Sequence, residues 1–218
     1  GNYLVSAGTA NFEGSIGGTL IVSSGATMNI PSGICTVTGA TTINGTLNFS
    51  TTTGTKTFGD LTVNSGGLWN CAITEAFTIS GNLTNNGTFT SNTGTYTFSG
   101  AGKTISGTLS FSRIAVTGSC INNADLSVST SLAGAGTFNQ GSTGNLKIGM
   151  TNANFSITSF NASASGNTVN YNRAAAQNIR IPTDGSYHHL TLSGSGNKSL
   201  VAATDINGDL TISSTLVA

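Results

Sequence analysis

The chain has 218 residues, only 6% of them charged, with seven Lys and Arg against seven Asp and Glu for a formal net charge of zero. Seven dispersed cations cannot build the phosphate-neutralising patch that nucleic acid requires, so nucleic acid is excluded as a partner. No stretch approaches the roughly 18 consecutive apolar residues of a membrane-crossing helix, and no basic segment followed by an apolar one opens the chain.

The first periodic segments are Thr19-Leu20-Ile21-Val22, Thr46-Leu47-Asn48-Phe49 and Asp60-Leu61-Thr62-Val63, and Asp209-Leu210-Thr211-Ile212 closes the series. Apolar residues alternate there with short polar ones, the period-2 pattern of a half-buried strand. Gly-Ala, Asn-Gly and Ser-Gly-Gly steps between such segments are turn signals. Arg173-Ala174-Ala175-Ala176-Gln177 is too short to count as a helix. With 37% hydrophobic residues, the chain can bury a core despite its 30 glycines, and we expect an all-β fold.

One phrase recurs from end to end: Ile16-Gly17-Gly18-Thr19-Leu20, Ile43-Asn44-Gly45-Thr46-Leu47, Ile79-Ser80-Gly81-Asn82-Leu83, Ile105-Ser106-Gly107-Thr108-Leu109 and Ile206-Asn207-Gly208-Asp209-Leu210. A unit that buries its apolar face only against copies of itself marks a stacked architecture. Spacings are uneven but often near twenty residues, which predicts a parallel β-helix, or β-solenoid, with coils of about that size. A longer similarity sets Tyr96-Thr97-Phe98, Lys103-Thr104-Ile105 and Arg113-Ile114-Ala115-Val116 beside Val169-Asn170-Tyr171, Gln177-Asn178-Ile179 and His189-Leu190-Thr191-Leu192, and predicts a higher repeat of two or three coils. Antiparallel β-sandwich repeats are the alternative. No linker divides residues 1–218, so we expect a single continuous solenoid body. It opens and closes in strand-like runs, which leads us to expect a segment of a longer chain.

The run Asn167-Thr168-Val169-Asn170-Tyr171, continuing through Gln177-Asn178-Ile179 and Tyr187-His188-His189-Leu190-Thr191-Leu192 to Ile206-Asn207-Gly208-Asp209-Leu210, carries a resemblance, as does Thr53-Gly54-Thr55-Lys56-Thr57-Phe58-Gly59-Asp60-Leu61. These segments resemble the repeat regions of very large secreted β-solenoid surface and adhesin proteins of Bacteroidota. The resemblance spans about two thirds of the chain as a style of repeat. It implies export and display at the cell surface as an adhesin, filament or stalk. The sorting domain that ends such proteins is not in this sequence.

Candidate chemistry is sparse. Glu13, Asp60, Glu75, Asp125, Asp184, Asp205 and Asp209 are scattered, with none of the paired carboxylates that glycoside chemistry uses. Asp205-Ile206-Asn207-Gly208-Asp209 has oxygen donors around a Gly turn but lacks the closing Glu of a calcium loop, so we read it as a turn. His188 and His189, if both lie in a strand, point to opposite faces and cannot share an ion; the parallel with Arg113 puts His189 outward. Cys35, Cys71 and Cys120 match neither a disulfide framework nor metal spacing and read as small buried side chains, with one disulfide between coils left open. Phe49, Phe58, Phe89, Phe98, Phe111 and Phe138 are expected to form interior ladders. Trp69 and Tyr187 read as core residues, the alternative being platforms for sugar stacking. The pairs Thr36/Thr38, Thr55/Thr57, Thr88/Thr90 and Thr95/Thr97 do not recur once per coil on one face in the sequence, which argues against ice binding.

We therefore expect no catalytic, cofactor or metal-binding residue and no enzyme. The expected role is a structural and adhesive segment of a secreted bacterial surface protein, partnered by neighbouring repeats, copies of itself or surface glycans. A glycan-binding or polysaccharide-degrading β-helix is the second reading and an ice-binding protein the third.

Overall fold

A computed structural model of the chain describes residues 1–31, 33–50, 52–71 and 73–217. It is a β-solenoid of about eleven turns. Every strand pairing among the described residues is parallel, which rules out the antiparallel sandwich. Each turn has three faces, represented in the first by Tyr3–Val5, Thr9–Asn11 and Gly14–Ile16 and in the last by Asp205–Ile206, Leu210–Ile212 and Thr215–Val217. Of the strands read from sequence, Thr46–Phe49 is observed with those bounds, and Leu20–Val22, Leu61–Val63 and Leu210–Ile212 one residue shorter. No α-helix occurs among the described residues, and the segment at 152–154 is a single 3-10 turn.

The inward positions form continuous columns. On the first face the column runs Tyr3, Leu20, Thr41, Leu61, Leu83, Ile105 and Asn122. It continues through Gln140 to the register that links Ala162, Tyr187 and Ile206. The second face stacks Ala10, Met28, Leu47, Trp69 and Phe89, then Leu109, Leu126, Leu146, Val169, Leu190 and Leu210. A side chain in such a column is covered by its counterparts above and below, so most are fully buried, whereas Leu210 and Ile212 in the last turn are 44% and 45% exposed.

Turn length varies from 17 residues, Tyr3 to Leu20, to 25, Ala162 to Tyr187. The recurrent phrase explains why its spacing is uneven: it marks corners, and not always the same one. Ile16 to Leu20 and Ile79 to Leu83 lead from the third face to the first, whereas Ile43 to Leu47 and Ile206 to Leu210 lead from the first to the second. At such corners neighbouring backbones nearly touch. A Cβ on Gly45 would lie 2.2 Å from the Ser23 carbonyl oxygen, and one on Gly107, where φ is +92°, 1.9 Å from that of Asn85.

The longer similarity is also resolved by register. Thr95–Phe98 pairs with the Arg113 to Val116 part of its neighbour, and Thr168–Tyr171 pairs with His189–Leu192. Each half of the similarity therefore spans one turn. The two halves lie on different faces, so the same pattern is used one face out of phase.

The aromatic core is concentrated in the N-terminal half. Trp69 contacts the rings of Phe49, Phe58, Phe77 and Phe89 at centroid distances of 4.6, 5.2, 4.9 and 5.1 Å, the last pair stacked. Phe49, Phe58, Phe98, Phe111 and Phe138 are buried as expected, and Phe89 packs against them while partly exposed. Replacing Trp69 by Ala is expected to cost about 3–5 kcal/mol through the cavity it leaves. Gly107→Ala is expected to cost about 2–3 kcal/mol, because the new Cβ meets backbone at positive φ. Denaturant unfolding followed by far-UV circular dichroism measures both, and an unchanged midpoint for Gly107→Ala would contradict the corner geometry.

Candidate functional site

Short polar side chains cover the solenoid and form ladders of their own. Asn29, Asn48 and Asn70 each donate Nδ2 to the Oδ1 of the Asn one turn earlier, starting at Asn11, at 3.2, 3.2 and 2.8 Å. Asn64 does the same to Asn44 at 2.7 Å and Asn161 to Asn139 at 2.8 Å. Stacking like residues at the strand spacing of about 4.8 Å lets one amide serve the next, so a nearly uncharged surface stays hydrogen-bonded.

Glu75, Asp60, Asp125 and Asp184 are held apart in separate structural roles. Glu75 is buried and sits 3.4 Å from the Lys56 ammonium. Asp60 accepts the backbone N–H of Asn82 at 2.7 Å, and Asp125 pairs with Lys147 at 2.8 Å. Asp184 accepts the backbone N–H groups of Ala162 and Ser163 at 3.0 and 2.9 Å. No group of three His, Cys, Asp or Glu placed to hold a metal occurs among the described residues. The segment from Asp205 to Asp209 is the turn expected, with the N–H groups of Asn207 and Gly208 donating to the carbonyls of Tyr187 and His188.

The two histidines depart from expectation. Residue 188 lies in the bend between Ser186–Tyr187 and His189–Leu192, outside either strand, so the alternation of strand side chains does not apply to it. The rings meet with centroids 4.2 Å apart and planes at 82°. Each nevertheless has a separate partner: His188 Nε2 lies 3.1 Å from Ser165 Oγ, and His189 Nδ1 accepts the Asp209 N–H at 2.9 Å. His189 lies beside Thr168 on the second face, whereas Arg113 lies on the third.

Trp69 and Tyr187 are fully buried, which removes both as platforms for sugar stacking. Tyr187 is tied to Tyr171 by a 2.8 Å hydroxyl contact and donates to the Arg180 carbonyl. Burial raises the Tyr171 hydroxyl to about 12. The threonines are more regular than the sequence suggested: Thr36, Thr57, Thr78 and Thr97 stack in one outward column on four successive turns of the third face. The position two residues earlier holds Ile34, Thr55, Ala76 and Thr95, so the column is one Thr wide, and Thr88/Thr90 lies on the second face.

Two buried lysines fasten corners. Lys56 Nζ donates to the Gly33 and Thr53 carbonyls, both at 2.6 Å, and Lys198 Nζ to those of Arg173, Ala175 and Ser195 at 2.7, 3.0 and 3.1 Å. Burial lowers the pKa of Lys198 from its ordinary value, with the Arg173 charge adding to the effect. Gln177, one turn before Lys198, caps the Ile148 and Met150 carbonyls in the same manner. Sequence reasoning passed over these residues. The shared Gly-x-Lys of Gly54-Thr55-Lys56 and Gly196-Asn197-Lys198 was the available signal.

A groove of about 420 Å3 opens on the first face toward the C-terminal half, bordered by the Asn139–Asn161 ladder, Ser163 and Asp184, with Ile121 and Ala164 contributing apolar surface. None of these residues was singled out beforehand as a binding group except as part of the general scatter of acids. Their signal is the pair Phe138-Asn139 and Phe160-Asn161, in which the same dipeptide recurs with its Asn outward.

Cys35, Cys71 and Cys120 are buried free thiols, and the disulfide left open by the sequence is not formed. Burial raises Cys35 and Cys120 to about 12. Each thiol thus holds its proton more tightly folded than unfolded. Its contribution to stability is present below the ordinary value of 9.0 and is lost as pH rises toward about 12. The expected result is no reaction of Cys35 and Cys120 with a disulfide reagent at about pH 8 until the chain is unfolded. Lys56→Ala strands Glu75 and two corner carbonyls and is expected to cost about 3–5 kcal/mol in denaturant unfolding; a loss below 1 kcal/mol would refute the fastening role.

No protein-family model, curated protein or solved structure matches the chain.

Proposed function

We propose that this chain is a non-catalytic structural and adhesive segment of a secreted bacterial cell-surface protein, forming a rigid rod or filament. The observation that carries the reading is the unbroken stack itself. About eleven parallel turns share inward apolar columns, corners without side-chain room and outward amide ladders. At the strand spacing of about 4.8 Å such a stack is roughly 50 Å long, and its bending is resisted by main-chain hydrogen bonds between all successive turns.

The surrounding chemistry supports the same role. Glu75 pairs with Lys56, and Asp60 and Asp184 each accept backbone N–H groups, an arrangement suited to holding corners. Short Thr, Ser and Asn side chains keep the faces soluble with little charge to attract unrelated partners.

Electron microscopy of intact cells of the source bacterium, labelled with an antibody raised against residues 1–217, tests the reading. Label along extended surface structures is the expected outcome. Label confined to the cell interior would overturn it.

A further inference from the structure

The groove on the first face is the place where the outer surface departs from a plain ladder. Between turns, the chain leaves the face at Ser163 and Ala164 and returns after Asp184, so these residues form a wall beside Asn139 and Asn161. Both carboxylate oxygens of Asp184 are anchored by backbone N–H groups at 2.9 to 3.2 Å, which fixes the carboxylate while leaving it further acceptor capacity. Asn161 spends its Nδ2 on Asn139, which leaves its Oδ1 at the end of the ladder, and the Ser163 side chain is exposed.

Beneath them, Gln140 is 3% exposed, accepts Asn122 Nδ2 on its Oε1 at 3.0 Å, and has no partner for its Nε2. Its side chain belongs to the inward column of the first face and closes the floor of the groove. The groove therefore offers fixed acceptors, a hydroxyl and small apolar surfaces, with no cation in its lining.

We propose that this groove binds a neutral oligosaccharide. Planar amides and a fixed carboxylate match sugar hydroxyls, which both donate and accept. Ile121 and Ala164 meet the apolar edge of a sugar ring. The Asp184 charge, with no lysine or arginine beside it, disfavours uronic acids and phosphates. Without an aromatic platform, a single groove binds with a Kd on the order of millimolar, and repetition along a rod raises the avidity. The proposal rests on the adhesive part of the function above.

The test is heteronuclear NMR titration of the purified 218-residue chain with cellotetraose, mannotetraose and chitotetraose, and with tetragalacturonate as the anionic counterpart. The expected result is saturable shifts of the Asn139, Asn161 and Ser163 signals with at least one neutral tetraose, weakened tenfold or more in Ala164→Glu. Asn178→Glu, an exposed change on the third face, should leave them unaltered. Ala164 is exposed, so its variant should keep the parent's unfolding midpoint, and the midpoint is measured alongside.

No saturable binding of any neutral tetraose up to about 50 mM, well above a millimolar Kd, overturns the proposal. So does preferential binding of tetragalacturonate. Binding that Ala164→Glu leaves intact overturns the groove but not the adhesive role, and none of these outcomes touches the surface location tested by microscopy.

Discussion

Everything in this molecule depends on the parallel hydrogen bonding of one turn to the next. A turn of 17 to 25 residues cannot bury an apolar face alone, and the inward residues become a core only when the turns above and below cover them. Leu190 at 1% exposure and Leu210 at 44%, successive rungs of one column, differ by the presence of a covering turn. Once that axial spacing is imposed, like positions fall above like positions on every face. Inward, this stacks Phe77 on Tyr96; outward, it joins Asn48 to Asn70.

The corners are where the stacking constraint is harshest. The chain must turn between faces while its backbone lies against the same corner one turn away, and a side chain there would collide with main-chain oxygen at Gly45 and Gly107. Where the corner carbonyls turn inward, the chain inserts a long polar side chain to satisfy them. Lys56, Lys198 and Gln177 all do this. Lys56 has Glu75 beside it, whereas Lys198 is held by three carbonyls and has no acid partner among the described residues, so the same corner problem has two electrostatic solutions. A solenoid built this way presents little charge, and the groove lies where a wall interrupts the ladder.

The architecture was legible in the sequence because period-2 alternation and a repeated turn phrase both follow directly from backbone geometry. Leu61-Thr62-Val63 shows inward, outward and inward positions by residue type alone, and the buried phenylalanines were recognisable for the same reason. The phase of the phrase was not legible. Ile16 to Leu20 and Ile43 to Leu47 look alike, yet they occupy different corners, since the residues in between decide how far the chain travels before it turns. The histidine pair was misjudged because a bend at His188 abolishes the alternation on which the reading relied. The groove was hidden because Asn161 and Asp184 are 23 positions apart, and nothing local to either residue shows that they border one space.

By itself, the sequence determined the all-β class, the inward and outward sides of most strands and the scarcity of charge, since each follows from residue type and nearest-neighbour spacing. Only the tertiary structure decided which turn lies over which. That choice made a continuous Thr column from Thr36, Thr57, Thr78 and Thr97, buried Trp69 among four rings, set Lys56 against Glu75 and opened the groove beside Asn161. The physical reason is that register between turns is fixed by the length of each corner and by the fit of the whole inward column, quantities that no short stretch of chain contains.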